Sequence, residues 1–148
     1  MWTRDPKEGI LATTRELGIG FVAYSPPARG FLSGRITSID DLAADDTRRR
    51  HPRFLPENFA RNLELVDRIV AMAAGLGLAP AQVALEWVLA RERDIVSIPG
   101  TTSVARLGEN ISAVSVTLSN ADIAELDAIF PIGITADSRY PDMSTVNG

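Results

Sequence analysis

Two short apolar stretches along the chain have the pattern of buried β-strands. They are residues 20–24 (GFVAY) and 94–98 (DIVSI), and a turn containing proline follows each of them. Short apolar runs of strand-forming residues bounded by turn residues are typical of strands in the core of a sheet. The pattern therefore predicts two strands, each ending in a loop.

Most of the other apolar positions recur at helical spacing. This pattern predicts helices in segments 8–17, 56–73, 79–89, 103–111 and 119–130. The apolar face of the second segment consists of Phe59, Leu63, Val66, Val70 and Ala73. Trp87 lies among apolar residues, which predicts a core position rather than a stacking platform.

The fourth segment begins at Ser103, a good N-cap residue, and places Val104, Leu107 and Ile111 on one face. Segments 25–35 and 36–57 are rich in turn-forming or polar residues and predict loops, of which the longer has the composition of a lid or a disordered segment. The tail after residue 131 is irregular. Strands that alternate with helices predict an α/β fold with a parallel sheet.

The first candidate site is the loop after the first strand. Tyr24 offers an aromatic face, Ser25 a hydroxyl group and Arg29 a guanidinium, while Gly30 leaves backbone amides accessible. These groups suit a flat ring joined to a phosphate. An ordinary connecting loop is the alternative interpretation of the same residues.

The second candidate site follows the second strand. Pro99-Gly100-Thr101-Thr102-Ser103 leads into a helix whose first amides are available to an anion. Arg106, Glu109 and Asn110 share one sector of that helix, so they could contact a phosphate and a polar ring such as adenine. A capped helix with a surface Arg–Glu pair is the alternative.

Composition excludes several other kinds of site. The 148 residues contain no cysteine and one histidine, His51, so disulfides, thiolate metal sites and multi-histidine metal sites are excluded. A net charge of −4 argues against nucleic-acid binding, and the basic segment 48–53 is interpreted as a solvated face. No run is long enough for a membrane-spanning helix, and a cytoplasmic location is expected.

Taken together, these segments resemble the aldo-keto reductase family. The most specific parts are YSPPARGFLSG (residues 24–34) and IPGTTSVARLGEN (98–110), supported by HPRFLPENFARNLELV (51–66) and RYPDMSTVNG (139–148). The resemblance covers essentially the whole chain. It implies the C-terminal portion of a (β/α)8 TIM barrel, which is an incomplete barrel of two to three parallel strands with surrounding helices.

The resemblance also implies a cofactor, NADP(H), and a role for each loop. Tyr24 would stack on the nicotinamide ring, and the residues along the pyrophosphate would be Ser25, Pro26, Pro27, Arg29 and Gly30. Gly100 and Thr102 would lie near the adenosine 2′-phosphate, Arg106 would hold that phosphate, and Glu109 and Asn110 would contact adenine. Pro27-Ala28 stands where Leu-Gly is more usual, and Thr102 where a basic residue is common.

The family's catalytic Asp, Tyr, Lys and His are expected in the N-terminal half of the barrel. Here the lysine is Lys7, the histidine is His51 and the tyrosines are Tyr24 and Tyr140, and none of them matches a tetrad position. The resemblance thus implies a truncated chain, residues 1–148, that starts at the end of barrel strand six (Met1-Trp2-Thr3) and ends in a tail over 131–148. No catalytic residue and no metal ligand is assigned.

Two hypotheses on function remain open. The chain is a fragment that binds a nicotinamide dinucleotide, with an aldehyde or ketone as substrate only in a complete barrel. Alternatively it is a non-catalytic interaction or split-barrel module, whose inward-facing Phe21, Ala23, Ile95 and Ser97 are covered by self-association or by an N-terminal half-barrel partner.

Overall fold

The computed structural model describes residues 1–4 and 9–144. Glu8 and Lys7, and the end of the predicted tail (145–148), lie outside the described residues. The helices and strands run in the order α1 (Ile10–Glu16), β1 (Phe21–Tyr24), α2 (Pro56–Leu76), α3 (Pro80–Leu89), β2 (Ile95–Ile98), α4 (Val104–Ser112) and α5 (Asn120–Ile129).

The two strands form a parallel sheet, as the sequence predicts. Phe21 is paired with Ile95 and Tyr24 with Ile98, so both strands end at the same edge. Met1-Trp2-Thr3, expected at the end of a further strand, has no strand conformation. Met1 and Trp2 are instead buried in the core.

The sheet is covered on the face that the sequence analysis expected to be open. Phe21 and Ala23 pack against the hydrophobic core, and Ile95 is buried within it. The opposite face, with Val22, Tyr24, Val96 and Ile98, is exposed. Phe21, Ala23 and Ile95 face the interior as expected, but the expectation that a partner has to cover them is wrong, because the core of this chain packs against them.

Prolines and a glycine mark the ends of the two central helices. Pro56 and Pro80 occupy first-turn positions, where the missing N–H costs nothing. Gly77 ends α2 with φ 68°, a left-handed conformation that glycine adopts without strain. Trp87 is buried in α3, as predicted.

The buried face of α2 is rotated relative to the predicted one. Phe59, Val66 and Ala73 are buried as expected, whereas Leu63 and Val70 are only half-buried. The fully buried Asn62 shares this face. Its amide bonds to the Arg53 and Ala136 carbonyls, and its oxygen accepts from the Ala136 N–H at 2.8 Å, so it ties the tail to the helix.

Residues 28–54, predicted as loop, contain four short 3₁₀ turns: Ala28–Ser33, Ile39–Asp41, Thr47–Arg50 and Pro52–Phe54. This segment packs into the core through Phe31, Leu32, Ile36, Leu42 and Phe54. The interpretation of residues 36–57 as a lid or disordered segment is wrong for Ile36, Leu42 and Phe54, because these scattered apolar residues are buried without following a helical or strand period.

The apolar face predicted for α4 exists but is not buried. Val104 is 87% exposed, and Leu107 and Ile111 are also exposed. Within the described residues, no single helix is long and apolar enough to cross a membrane, although α2 and α3, bent by 92° at their junction, pass that test as a pair.

Candidate functional site

The loops that follow β1 and β2 border one groove. Because the strands are parallel and in register, the residues after Tyr24 and Ile98 emerge side by side. The groove has a volume of about 680 Å³. The predicted site residues along it are Ser25, Pro27, Arg29, Gly30, Gly100, Thr102, Arg106, Glu109 and Asn110.

The remaining predicted residues, Tyr24 and Pro26, line an adjoining cavity of about 180 Å³. Ser25 and Arg29 contribute to both spaces. The tertiary structure thus brings together two groups of residues that are at least 70 positions apart in sequence.

The turn after β1 has an unusual backbone. Ser25, Ala28 and Arg29 have φ values of 49°, 52° and 57°, and Gly30 has 88°. A left-handed conformation costs a residue other than glycine about 1 kcal/mol. Such strain persists where surrounding contacts impose it and is common at ligand sites.

Arg48 is one of the contacts that hold this turn. Its Nη1 donates to the Arg29 carbonyl at 3.0 Å, and its Nη2 donates to Asp46 at 2.6 Å. Hydrogen bonds from the Arg48 side chain and backbone lower the pKa of Asp46 to about 2. The interpretation of segment 48–53 as a solvated face is therefore wrong for Arg48, which is half-buried and fixed at the groove.

The start of α4 is organised by its own hydroxyl groups. The Ser103 Oγ accepts the Arg106 N–H at 3.4 Å, which confirms the predicted cap, and the Thr101 hydroxyl accepts the Ser103 N–H at 3.2 Å. A Cβ on Gly100 would meet nothing within 4 Å. Arg106 itself is exposed and forms no ion pair with any residue in the described ranges.

Arg35, which is not among the predicted site residues, spans the groove. Its Nη2 donates to the Glu109 carboxylate at 2.8 Å, which links the segment after β1 to α4. The sequence signal was a basic residue directly after Gly34, at the end of the candidate loop. Glu109, predicted as an adenine contact, is thus held by a cation from the opposite wall.

The tail brings further residues to the end of β1. The Tyr140 and Tyr24 hydroxyls are 2.7 Å apart, and the Arg29 guanidinium lies 4.9 Å from the Tyr140 ring centroid. The pKa of Tyr140 is lowered, chiefly because the Tyr24 hydroxyl hydrogen-bonds to it. Burial raises the pKa of Tyr24.

His51 also reaches this region, with its ring centroid 6.0 Å from that of Tyr140. Its pKa is lowered, first by burial and then by the charge of Arg29. The Nδ1 atom is buried without a hydrogen-bond partner among the described residues.

Comparisons with known proteins agree with the sequence motifs. The model of the aldo/keto reductase family matches residues 1–130. A soybean (Glycine max) protein named probable aldo-keto reductase 1 is 43% identical over 95% of this chain. A fission yeast (Schizosaccharomyces pombe) protein named aldo-keto reductase yakc [NADP(+)] is 41% identical over 92% of the chain. The chain spans about 40% of the length of each of these relatives.

Solved structures agree on the fold. Glycerol dehydrogenase from Gluconobacter oxydans superposes with a TM-score of 0.74 at 23% identity, over 86% of this chain and 39% of that protein. A thermostable aldo-keto reductase in complex with the inhibitor epalrestat gives a TM-score of 0.59 at 25% identity, over 86% of this chain and 36% of that one. With its two-stranded parallel sheet and surrounding helices, this chain has the architecture of an incomplete barrel, and it belongs to the aldo/keto reductase family.

Proposed function

We propose that the groove binds NADP(H) and that residues 1–148 form a partial, cofactor-binding domain of an aldo-keto reductase, with a tail over 131–148. The observation that carries the proposal is the convergence of both strand-end loops on one groove. The fission yeast relative, which bears NADP(+) in its name, supports the choice of cofactor.

The adenosine end of the cofactor is assigned to the start of α4. Arg106 is exposed, has no ion pair with a described residue and stands near a helix N-terminus, where the free amides favour an anion. We assign it to the 2′-phosphate, beside Gly100 and Thr102. Glu109 and Asn110 are assigned to adenine.

The nicotinamide end is assigned to the turn after β1. The Tyr24 ring is half exposed and suits stacking, and Ser25, Pro26, Pro27, Arg29 and Gly30 form a strained turn suited to the pyrophosphate. NADPH supplies hydride when bound. The residues of this chain bind and orient the cofactor, and Arg48 keeps the turn in its binding shape.

Carbonyl reduction itself is assigned to a complete barrel. Delivering a proton to the substrate oxygen needs an oriented acid with a tuned pKa. We propose that the Asp, Tyr, Lys and His that do this lie in the part of the relatives that this chain does not span. Alone, the chain is then expected to bind cofactor without reducing aldehydes or ketones.

The exposed face of the sheet favours a second function, that of a module in a split barrel. Val22, Val96 and Ile98, which share one face of the sheet, are each more than half exposed. Contiguous apolar surface of this kind is usually covered by another protein surface. An N-terminal half-barrel partner, or self-association, would cover it, and size-exclusion chromatography distinguishes a monomer from an assembly.

Titration of the purified chain with NADPH and with NADH tests the cofactor assignment. We expect NADPH to bind more tightly, and Arg106→Gln to remove that difference because it removes the guanidinium assigned to the 2′-phosphate. Arg50→Gln, a change at an exposed arginine outside the groove, is the matched control. Equal binding of both cofactors, or no binding, would contradict the assignment. Aldehyde reduction by the chain alone would contradict the assignment of carbonyl reduction to a complete barrel.

A further inference from the structure

We propose that the cavity next to the groove binds a small organic carboxylate, with its apolar body against the sheet and α3 and its carboxylate between Arg29 and Arg139. This cavity adjoins the groove assigned to the cofactor, and four residues assigned to the cofactor also line it: Tyr24, Ser25, Pro26 and Arg29.

The inner walls of the cavity are apolar. They are formed by Trp2, Leu11, Phe21, Trp87, Val88 and Ile95. The cavity has a volume of about 180 Å³. An apolar cavity of about 150 Å³ holds a benzene molecule, so this one suits a single six-membered ring.

The mouth of the cavity is basic and lacks a compensating acid. Arg29, Arg53 and Arg139 line it, and no aspartate or glutamate does so among the described residues. Arg29 and Arg139 form no ion pair with any residue in the described part of the chain. The Nε of Arg139 is buried without a hydrogen-bond partner there.

The other arginines of the lining are already neutralised or engaged. Arg4 and Arg91 both donate to Asp127 and flank the Trp87 ring. Arg53 donates to the Thr3 hydroxyl at 2.7 Å. The charges of Arg29 and Arg139, which have no ion pair among the described residues, are therefore available to a carboxylate.

Arg29 contacts both Arg139 and Tyr140, and its Nη1 donates to the Arg139 carbonyl at 3.4 Å. Arg29 lies 4.9 Å and Arg139 5.5 Å from the centroid of the same Tyr140 ring. The partly buried His51 stands beside them. Two guanidinium groups without an ion pair suit a carboxylate, and the apolar walls favour an organic acid over inorganic phosphate.

Benzoate is the probe, and intrinsic fluorescence is the measurement. The two tryptophans of the chain, Trp2 and Trp87, both line the cavity, so their emission reports its occupancy. Benzamide has the same ring without the charge, and inorganic phosphate has the charge without the ring. We expect benzoate to bind at least about tenfold more tightly than either, since a charge-assisted bidentate contact is worth that much or more.

Arg139→Gln should lower benzoate affinity by about tenfold or more and leave benzamide unaffected. Arg50→Gln, which removes an exposed arginine remote from the cavity lining, should bind benzoate as the unmodified chain does. If Arg139→Gln misfolds, Arg29→Gln tests the same contact. The comparison of benzoate, benzamide and phosphate in the unmodified chain tests the proposal without any variant. Equal affinity for benzoate and benzamide would overturn the proposal, as would phosphate binding as tightly as benzoate. Because no cofactor is added, these outcomes are independent of NADPH binding.

Discussion

Arg35 and Glu109 form an ion pair at 2.8 Å between the two walls of the groove. Arg35 follows the turn after β1, and Glu109 lies on α4 after β2. The pair is the direct link between the two loops that the sequence selected separately as candidate sites. It places the residue assigned to adenine next to a half-exposed guanidinium.

Arg35→Gln should change the free energy of unfolding by less than about 1 kcal/mol, because the Arg35 side chain is 49% exposed and solvent screens such pairs. Urea denaturation of Arg35→Gln, Glu109→Gln and the double variant measures the coupling between the two side chains. A coupling above about 2 kcal/mol would show that the pair contributes to the core rather than only bridging the groove.

Gly34→Ala should lower the free energy of unfolding far more than Arg35→Gln does. Gly34 has φ +70°, and an added Cβ would lie 2.6 Å from the Cγ2 of Val70 on α2. Strain and overpacking together should cost about 2 kcal/mol or more. Thermal denaturation checks this, with Gly75→Ala as a control because its added Cβ would meet nothing within 4 Å. Equal stability of the two variants would contradict the close packing at Gly34.

Ala28→Gly should stabilise the chain by about 1 kcal/mol. Ala28 has φ 52° and stands where glycine is more usual in the family that the sequence resembles. Replacing it with glycine removes the steric cost of the left-handed conformation. Urea denaturation measures the gain. Ala43→Gly, in a connecting segment without a positive φ, should give none. A loss of stability in Ala28→Gly would mean that the turn has another backbone conformation.

The Asp46–Arg48 pair predicts a pH dependence of stability. The pKa of Asp46 is lowered to about 2, against about 3.9 for an unperturbed aspartate. The contribution of Asp46 to the free energy of unfolding should be fully present above about pH 4 and be lost as the pH falls through about 2.

The melting-temperature difference between the unmodified chain and Asp46→Asn should therefore shrink from pH 5 towards pH 2. Asp40→Asn is the control, since the Asp40 side chain is 89% exposed. A difference that does not vary over this range would exclude Asp46 as the titrating group.

Asn62→Ala should destabilise the chain by about 1 to 3 kcal/mol, because it leaves the Ala136 N–H and two carbonyls without their buried partner. Hydrogen exchange at Ala136 should accelerate. Asn58→Ala, which also removes contacts to the tail but from a half-buried position, should cost less. Unchanged exchange at Ala136 would mean that the tail is held by other contacts.

Most helices and strands, and the candidate site residues, could be predicted from the sequence. Pro56, Pro80 and Gly77 mark helix ends by their own backbone preferences, and Ser103 caps α4 as expected. These are local signals, which act within one turn of the chain. The parallel pairing followed from the order of strands and helices.

The tertiary structure decided what local signals do not encode. Both faces of the strands are apolar, so only the packing determined that the core of this chain covers Phe21 and Ala23 while Val22 is exposed. The burial of Asn62 and the role of Arg48 depend on partners distant in sequence, Ala136 and Arg29. The sequence by itself determined the family, the elements and the two loops. The structure decided which faces are covered and how the loops meet, because burial and ion pairing depend on residues that only folding brings together.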